Sequence, residues 1–136
     1  MTPLVSVVVP TRDAGRTIET CLRSIRAQTW PAVELVVVDN WSRDGTWEVA
    51  ARLADVALRA GPERSAQRNL GVRRSSGEWV LWVDADMVLA PDWSTLRLLP
   101  WHEATALVLC DVQWADRSPI VASPRQVLAR QLDRLG

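Results

Sequence analysis

The sequence predicts an α/β fold, a doubly wound and mostly parallel sheet with helices on both faces. Three observations predict it. Short runs of β-branched residues, apolar throughout, mark strands buried on both faces. Segments with apolar residues three and four apart alternate with them, as strand–helix–strand crossovers of right-handed sense require. Three strands close on polar clusters: Pro10-Thr11-Arg12-Asp13, Asp39-Asn40-Trp41-Ser42 and Asp84-Ala85-Asp86. In open sheets of this kind, ligands bind beyond the carboxyl ends of the strands.

The elements follow in order. Leu4 to Val9 is the first strand, ended by Pro10. A helix from about Ala14 to Gln28 carries Ile18, Leu22 and Ile25 on one face, with Asp13 as N-cap and Pro31 beyond its end. Val33 to Val38 is the second strand. Asp44 caps a helix running through Trp47, Ala50, Ala51 and Leu53. A short strand near Val56 to Leu58 precedes a helix from Glu63 to Ser75, with Gly71 inside it or bending it. Trp79 to Val83 is the next buried strand. Pro91 starts a helix carrying Leu96, Leu98 and Leu99; Ala106 to Cys110 is a further strand; Ser123-Pro124 opens a last helix through Val127, Leu128 and Leu132.

Length and composition narrow the field. The 136 residues fit one domain, 1–136, and 48% hydrophobic with 24% charged residues excludes a disordered chain. Sixteen Arg, with no Lys, balance sixteen Asp and Glu, so charge offers no reason to expect nucleic acid or an anionic membrane as partner. No apolar run approaches the ~20 residues of a membrane span, and no signal peptide is visible. The expectation is a cytoplasmic protein with no transmembrane segment. One His, His102, disfavours Ser-His-Asp chemistry and histidine-rich metal sites. Cys21 and Cys110 lack C-x-x-C spacing and read as buried thiols. Nothing in the pattern explains why all eight aromatic residues are Trp.

Asp84 and Asp86 are the first candidates for chemistry. Two carboxylates two residues apart, just past a buried strand, offer hard oxygen ligands for Mg²⁺ or Mn²⁺, with substrate phosphates completing the shell. The same pair describes a solvated acidic turn equally well. Asp39 ends its strand where it could accept a hydrogen bond from a base N–H or a ribose hydroxyl, or close an Asx turn with Ser42. Arg64 and Arg68 lie four apart on one helix face and could hold phosphate or a base, whereas Arg73 and Arg74 read as a solvated face. No G-x-x-x-x-G-K-[ST] is present, which excludes a P-loop, and no G-x-G-x-x-G follows the first strand, which disfavours an ordinary dinucleotide fold.

Four blocks, in order and at matching spacing, resemble the family 2 glycosyltransferases. They are Val5 to Gly15 (VSVVVPTRDAG), Glu34 to Thr46 (ELVVVDNWSRDGT), Arg64 to Gly71 (RSAQRNLG) and Gly77 to Asp86 (GEWVLWVDAD). The resemblance implies a nucleotide-diphospho-sugar transferase fold of the A type, which is Rossmann-like. It also implies a nucleoside-diphosphate-sugar donor and Mn²⁺ or Mg²⁺ as cofactor. By the same resemblance Pro10, Thr11, Asp39 and Arg68 would contact the nucleotide, Asp84 the ribose or the metal, and Asp86 the metal. Members of the family continue into an acceptor-binding half that supplies the carboxylate base. Here the acceptor is unassigned, most of that half is missing from residues 1–136, and Asp111 and Asp116 are the only later acids near a strand end. The expected function is therefore a glycosyltransferase domain or, alternatively, a non-catalytic nucleotide-sugar-binding module or fragment. A nucleotidyltransferase is less well matched, because Pro10 to Gly15 lacks a Gly-rich loop.

Overall fold

The computed structural model describes residues 2 and 4–91, together with the backbone of residues 112–114. Four strands form a parallel sheet in the order β3-β2-β1-β4: β1 (Val5–Thr11), β2 (Val33–Asp39), β3 (Val56–Arg59) and β4 (Trp79–Trp82). Three helices cover it: α1 (Ile18–Arg26), α2 (Thr46–Leu53) and α3 (Arg64–Arg74). The strands alternate as pleating requires. Val5, Val7, Val9, Leu35, Val37 and Leu81 face α1 and α2, packing against Ile18, Leu22, Ile25 and Ala50. Val8, Val36, Val38 and Val80 face α3, with Leu70 and Val72 packed against them. Both faces are buried, so the strands read as continuous apolar runs and the doubly wound architecture is confirmed.

The chain steps outward from β1 to β2 to β3, then α3 carries it back across the opposite face to β4, on the far side of β1. The winding therefore reverses between β1 and β4. The carboxyl ends of those two strands diverge where their connections leave in opposite directions, and that is where such sheets hold ligands. Gly71 fixes how closely α3 lies on the sheet. A Cβ there would run into the Val8 side chain, so Gly71 belongs to an unbroken helix seated directly on β1.

Several boundaries differ from the expectation. Pro10 lies within β1 rather than ending it. Odd-numbered residues of β1 hydrogen-bond toward β2 and even-numbered ones toward β4, whose pairing with β1 stops at Trp82 opposite Val8. The N–H that Pro10 lacks would point past the end of β4, so nothing is lost. The first helix begins at Ile18, not Ala14, and Asp13 is not its cap. Asp13 adopts a left-handed φ of 45°, and residues 15–17 form a turn in which Thr17 and Ile18 both donate to the Ala14 carbonyl. Asp44 caps α2 from just outside it: its Oδ1 accepts the Thr46 N–H at 3.2 Å, across Gly45, whose φ of 91° suits glycine. Unexpected in the sequence is an antiparallel pair, β5 (Met87–Leu89) with β6 (Val112–Trp114), each too short to show a period. The helix expected from Pro91, the strand from Ala106 to Cys110 and the helix from Ser123 lie outside the described residues. Among the described residues no helix is long and apolar enough to cross a membrane.

Candidate functional site

Where β1 and β4 diverge there is a cavity of about 460 Å³. Three segments line it: the end of β1 and its loop (Pro10 to Ala14, with Thr17), the first turn of α3 (Arg64 and Gln67) and the turn after β4 (Asp84, Ala85 and Asp86).

The loop after β1 is clasped by the loop after β2. The Asp13 N–H donates to Ser42 Oγ at 2.8 Å, the Ala14 N–H to Thr46 Oγ1 at 2.9 Å and the Gly15 N–H to Asp44 Oδ2 at 2.8 Å. In return the Arg43 N–H donates to Asp13 Oδ1 at 2.9 Å. The Thr46 hydroxyl and the Gly15 N–H hold the Asp44 carboxyl below its usual range. Three consecutive amides are thus engaged by side chains and are not free to cradle phosphate as a glycine-rich loop does. Positive charge at the cavity comes instead from Arg12 and Arg64, both exposed.

The acidic turn is anchored from two sides. The Cys21 thiol on α1 donates to the Asp84 carbonyl at 3.5 Å. Burial, then the carboxylates of Asp86 and Asp84, push that thiol up to about 12, so it stays protonated and acts as a small buried spacer. From α3, the Arg68 guanidinium lies 3.4 Å from Asp84 Oδ1. Asp84 is half-buried and Asp86 exposed. Two carboxylates on one wall are hard donors of the kind Mg²⁺ and Mn²⁺ take. Among the described residues no group of three or more His, Cys, Asp or Glu could hold a metal. The donor set therefore fits a divalent cation that draws its remaining oxygens from a phosphorylated ligand.

Asp39 sits elsewhere. It is fully buried under the loop after β2, where both carboxylate oxygens accept from Ser42, one from the N–H at 3.0 Å and the other from the hydroxyl. Arg59 Nε lies 3.9 Å from Asp39 Oδ2, and its guanidinium stacks on Trp47 at 4.2 Å and on Trp41 at 5.2 Å. Trp41 is 61% exposed at a left-handed φ of 52°. Of the residues singled out from the sequence, the fold brings Pro10, Thr11, Asp84 and Asp86 to one cavity, ties Arg68 to Asp84, and leaves Asp39 off the lining.

Sequence reasoning missed Gln67. It is buried, and its Nε2 donates to the Thr11 carbonyl at 3.0 Å and the Val38 carbonyl at 2.8 Å, bridging the ends of β1 and β2. A signal existed: Gln67 precedes Gly71 by four residues, so it shares the helix face that Gly71 seats on the sheet. Thr11 lines the cavity, and its hydroxyl is buried without a hydrogen-bond partner.

Comparison with known proteins bears on this geometry. YibD of Escherichia coli, an uncharacterized glycosyltransferase, is 29% identical over 119 residues, covering 82% of this chain and 35% of its own length. The mannosyltransferase PcManGT of Pyrobaculum calidifontis, solved with GDP-Man and Mn²⁺, superposes with a TM-score of 0.61 at 34% identity, over 71% of this chain and 31% of that one. TarS 1–349 of S. aureus, solved with UDP, gives 0.60 at 31% identity, over 68% and 30%. The chain thus spans about a third of the length of these relatives. A different kind of match is short: 50 residues, 37% of the chain, are 52% identical to the γ-glutamylethanolamide synthetase GlnA4 of Streptomyces coelicolor and cover 11% of it. The parallel sheet with its winding reversal is that of the A-type nucleotide-sugar transferases. With the model described as glycosyl transferase family 2 matching residues 6–130, the chain belongs to that family.

Proposed function

We propose that the cavity between β1 and β4 binds a nucleoside-diphosphate sugar together with Mn²⁺ or Mg²⁺, and that the chain is the donor-binding portion of a cytoplasmic glycosyltransferase. The observation that carries this reading is the convergence of Asp84, Asp86 and Thr11 on one cavity at the winding reversal, in a fold shared with a mannosyltransferase solved with GDP-Man and Mn²⁺. Asp84 and Asp86 would hold the cation, which when bound neutralises charge on the departing diphosphate. Arg12 and Arg64 bring positive charge to the same lining, where phosphate oxygens gain from it. Arg68 restrains Asp84 from one side and the Cys21 thiol restrains its backbone from the other, so the acidic turn is preorganised before ligand arrives. Asp111 and Asp116, the later acids near a strand end in the sequence, lie outside the described residues, and the acceptor and its base are unassigned.

The experiment is calorimetric titration of UDP and GDP with and without Mn²⁺, on the parent and on Asp86→Ala. The parent is expected to bind nucleotide and metal cooperatively, because two carboxylates alone make a weak site. The variant is expected to lose the metal dependence. Equal affinity of the two proteins in Mn²⁺ refutes the assignment.

A second reading is favoured by the match to GlnA4. That match is 50 residues long at 52% identity, while the four glycosyltransferase blocks and the cavity lining fall within residues 5–86. On that reading the chain joins a donor-binding unit to a segment of different ancestry.

A further inference from the structure

Resting on the donor reading above, we infer that Arg68 decides which divalent cation the acidic turn accepts. By holding one oxygen of Asp84, it leaves that carboxylate a single oxygen for the metal, which suits Mn²⁺ or Mg²⁺ and disfavours Ca²⁺.

Arg68 acts through Asp84 and not on the cavity directly. Arg64 and Gln67, on the same helix, line the cavity, and Arg68 does not. Its guanidinium instead meets Asp84 Oδ1 at 3.4 Å, while Asp84 itself is part of the lining. The carboxylate thus has a fixed positive charge on one side and the cavity on the other. The separation is long for a charged hydrogen bond, and both side chains are about a third exposed, so the pair adds little stability. Its role is positional. Arg68 Nε is buried without a hydrogen-bond partner, so the inner end of the guanidinium is enclosed and the group stays beside Asp84. From α1, the Cys21 thiol donates to the Asp84 carbonyl at 3.5 Å and holds the backbone. Asp84 is therefore restrained at its tip and at its main chain.

A carboxylate binds a cation through one oxygen or through both. Ca²⁺ has a large, flexible shell and readily takes both. Mg²⁺ is smaller and octahedral, Mn²⁺ shares its taste for six oxygens, and phosphates and water complete the shell around one or two carboxylates. A cation that claims both oxygens of Asp84 must share Oδ1 with the guanidinium and approach a like charge closely. A cation that takes Oδ2 alone avoids this. Groups that orient a metal ligand in this way typically change metal affinity by about 10–100-fold.

The test is competition between Ca²⁺ and Mn²⁺ on the full chain with saturating UDP or GDP, following bound Mn²⁺ by electron paramagnetic resonance. Parent and Arg68→Met are compared by the ratio of the two cation affinities, in which complexation by the nucleotide in solution cancels. Arg68→Met is expected to move that ratio about tenfold toward Ca²⁺. Arg68→Gln is expected to move it the same way, so a folding defect in one variant leaves the other to decide. A ratio that does not move overturns the inference. If both cations then bind more tightly, Arg68 is only a repelling charge; if both bind more weakly, it is only a prop for Asp84. A shift toward Mn²⁺ overturns the inference as well. All of these results leave the donor reading standing. Failure of the parent to bind Mn²⁺ with either nucleotide overturns both.

Discussion

Asp44 shows what one carboxylate can do in this fold. It caps α2 through Thr46 and fastens the loop after β1 through the Gly15 N–H. Its pKa lies below the ordinary 3.8 in the folded state, held there by the Thr46 hydroxyl first and the Gly15 N–H next. A depressed folded pKa gives stability that is fully present above the unfolded value and lost as pH falls through the folded one. Glu19, hydrogen-bonded to Arg23, shifts the same way. So does Asp55, where burial opposes the shift but Arg26 and the Leu35 N–H outweigh it. The informative quantity is thus the difference between Asp44→Asn and its parent. Urea denaturation at several pH values is expected to show a constant deficit in the variant above about pH 5, shrinking below pH 3.8. A deficit that does not change with pH would mean that the carboxylate charge contributes nothing. Single residues were the least legible level of the sequence. Asp39 and Ser42 permitted both a ligand contact and an Asx turn, and the bonds that make the turn are present. Gln67 passed unnoticed because its bonds run to backbone carbonyls of two other elements, which no local pattern encodes.

Secondary elements were more legible, because burial on both faces writes itself into a strand as an unbroken apolar run. Val33 to Val38 and Leu4 to Val9 were plain for that reason, and α1 for its spacing of Ile18, Leu22 and Ile25. Their ends were not, since the pairing of β1 through Pro10 depends on where β4 stops. Gly71 supplies a test at this scale. In an exposed helix, Gly→Ala stabilises by up to ~1 kcal/mol. Here the added methyl meets Val8 on β1, and overpacking costs about 1–3 kcal/mol. Gly71→Ala is expected to lower stability in urea denaturation, with Val8→Ala in the same chain relieving part of the loss. A stabilised single variant would show that Val8 moves aside at no cost.

At the scale of the whole molecule, the winding reversal between β1 and β4 decides where ligand chemistry can occur. Alternation of strands and helices made the fold class legible, and three polar strand ends marked the edge that matters. Nothing local showed that β4 returns beside β1 rather than beyond β3, yet that return brings Asp84 opposite Thr11. The family match runs to residue 130, while the short ligase-like match covers 37% of the chain. Exchanging residues 92–136 for a segment of equal length and different sequence tests whether the donor site is complete before them. Nucleotide affinity is expected to stay within about threefold if the donor site is complete before residue 92, a difference under ~1 kcal/mol. A loss of about tenfold or more would assign that segment to the donor site.

The clasp between the loops after β1 and β2 has a kinetic consequence. The amides of Asp13, Ala14, Gly15 and Arg43 lie in exposed or half-exposed loops, where exchange with deuterated water is ordinarily fast. All four are donors across the clasp, so none can exchange until the two loops part. They are expected to exchange slowly and with one common opening free energy; independent rates would show four separate contacts instead. Evolution or an engineer reshaping the cavity mouth must then treat residues 12–15 and 42–46 as a single transplantable unit, because either stretch moved alone leaves its donors or acceptors without their counterparts.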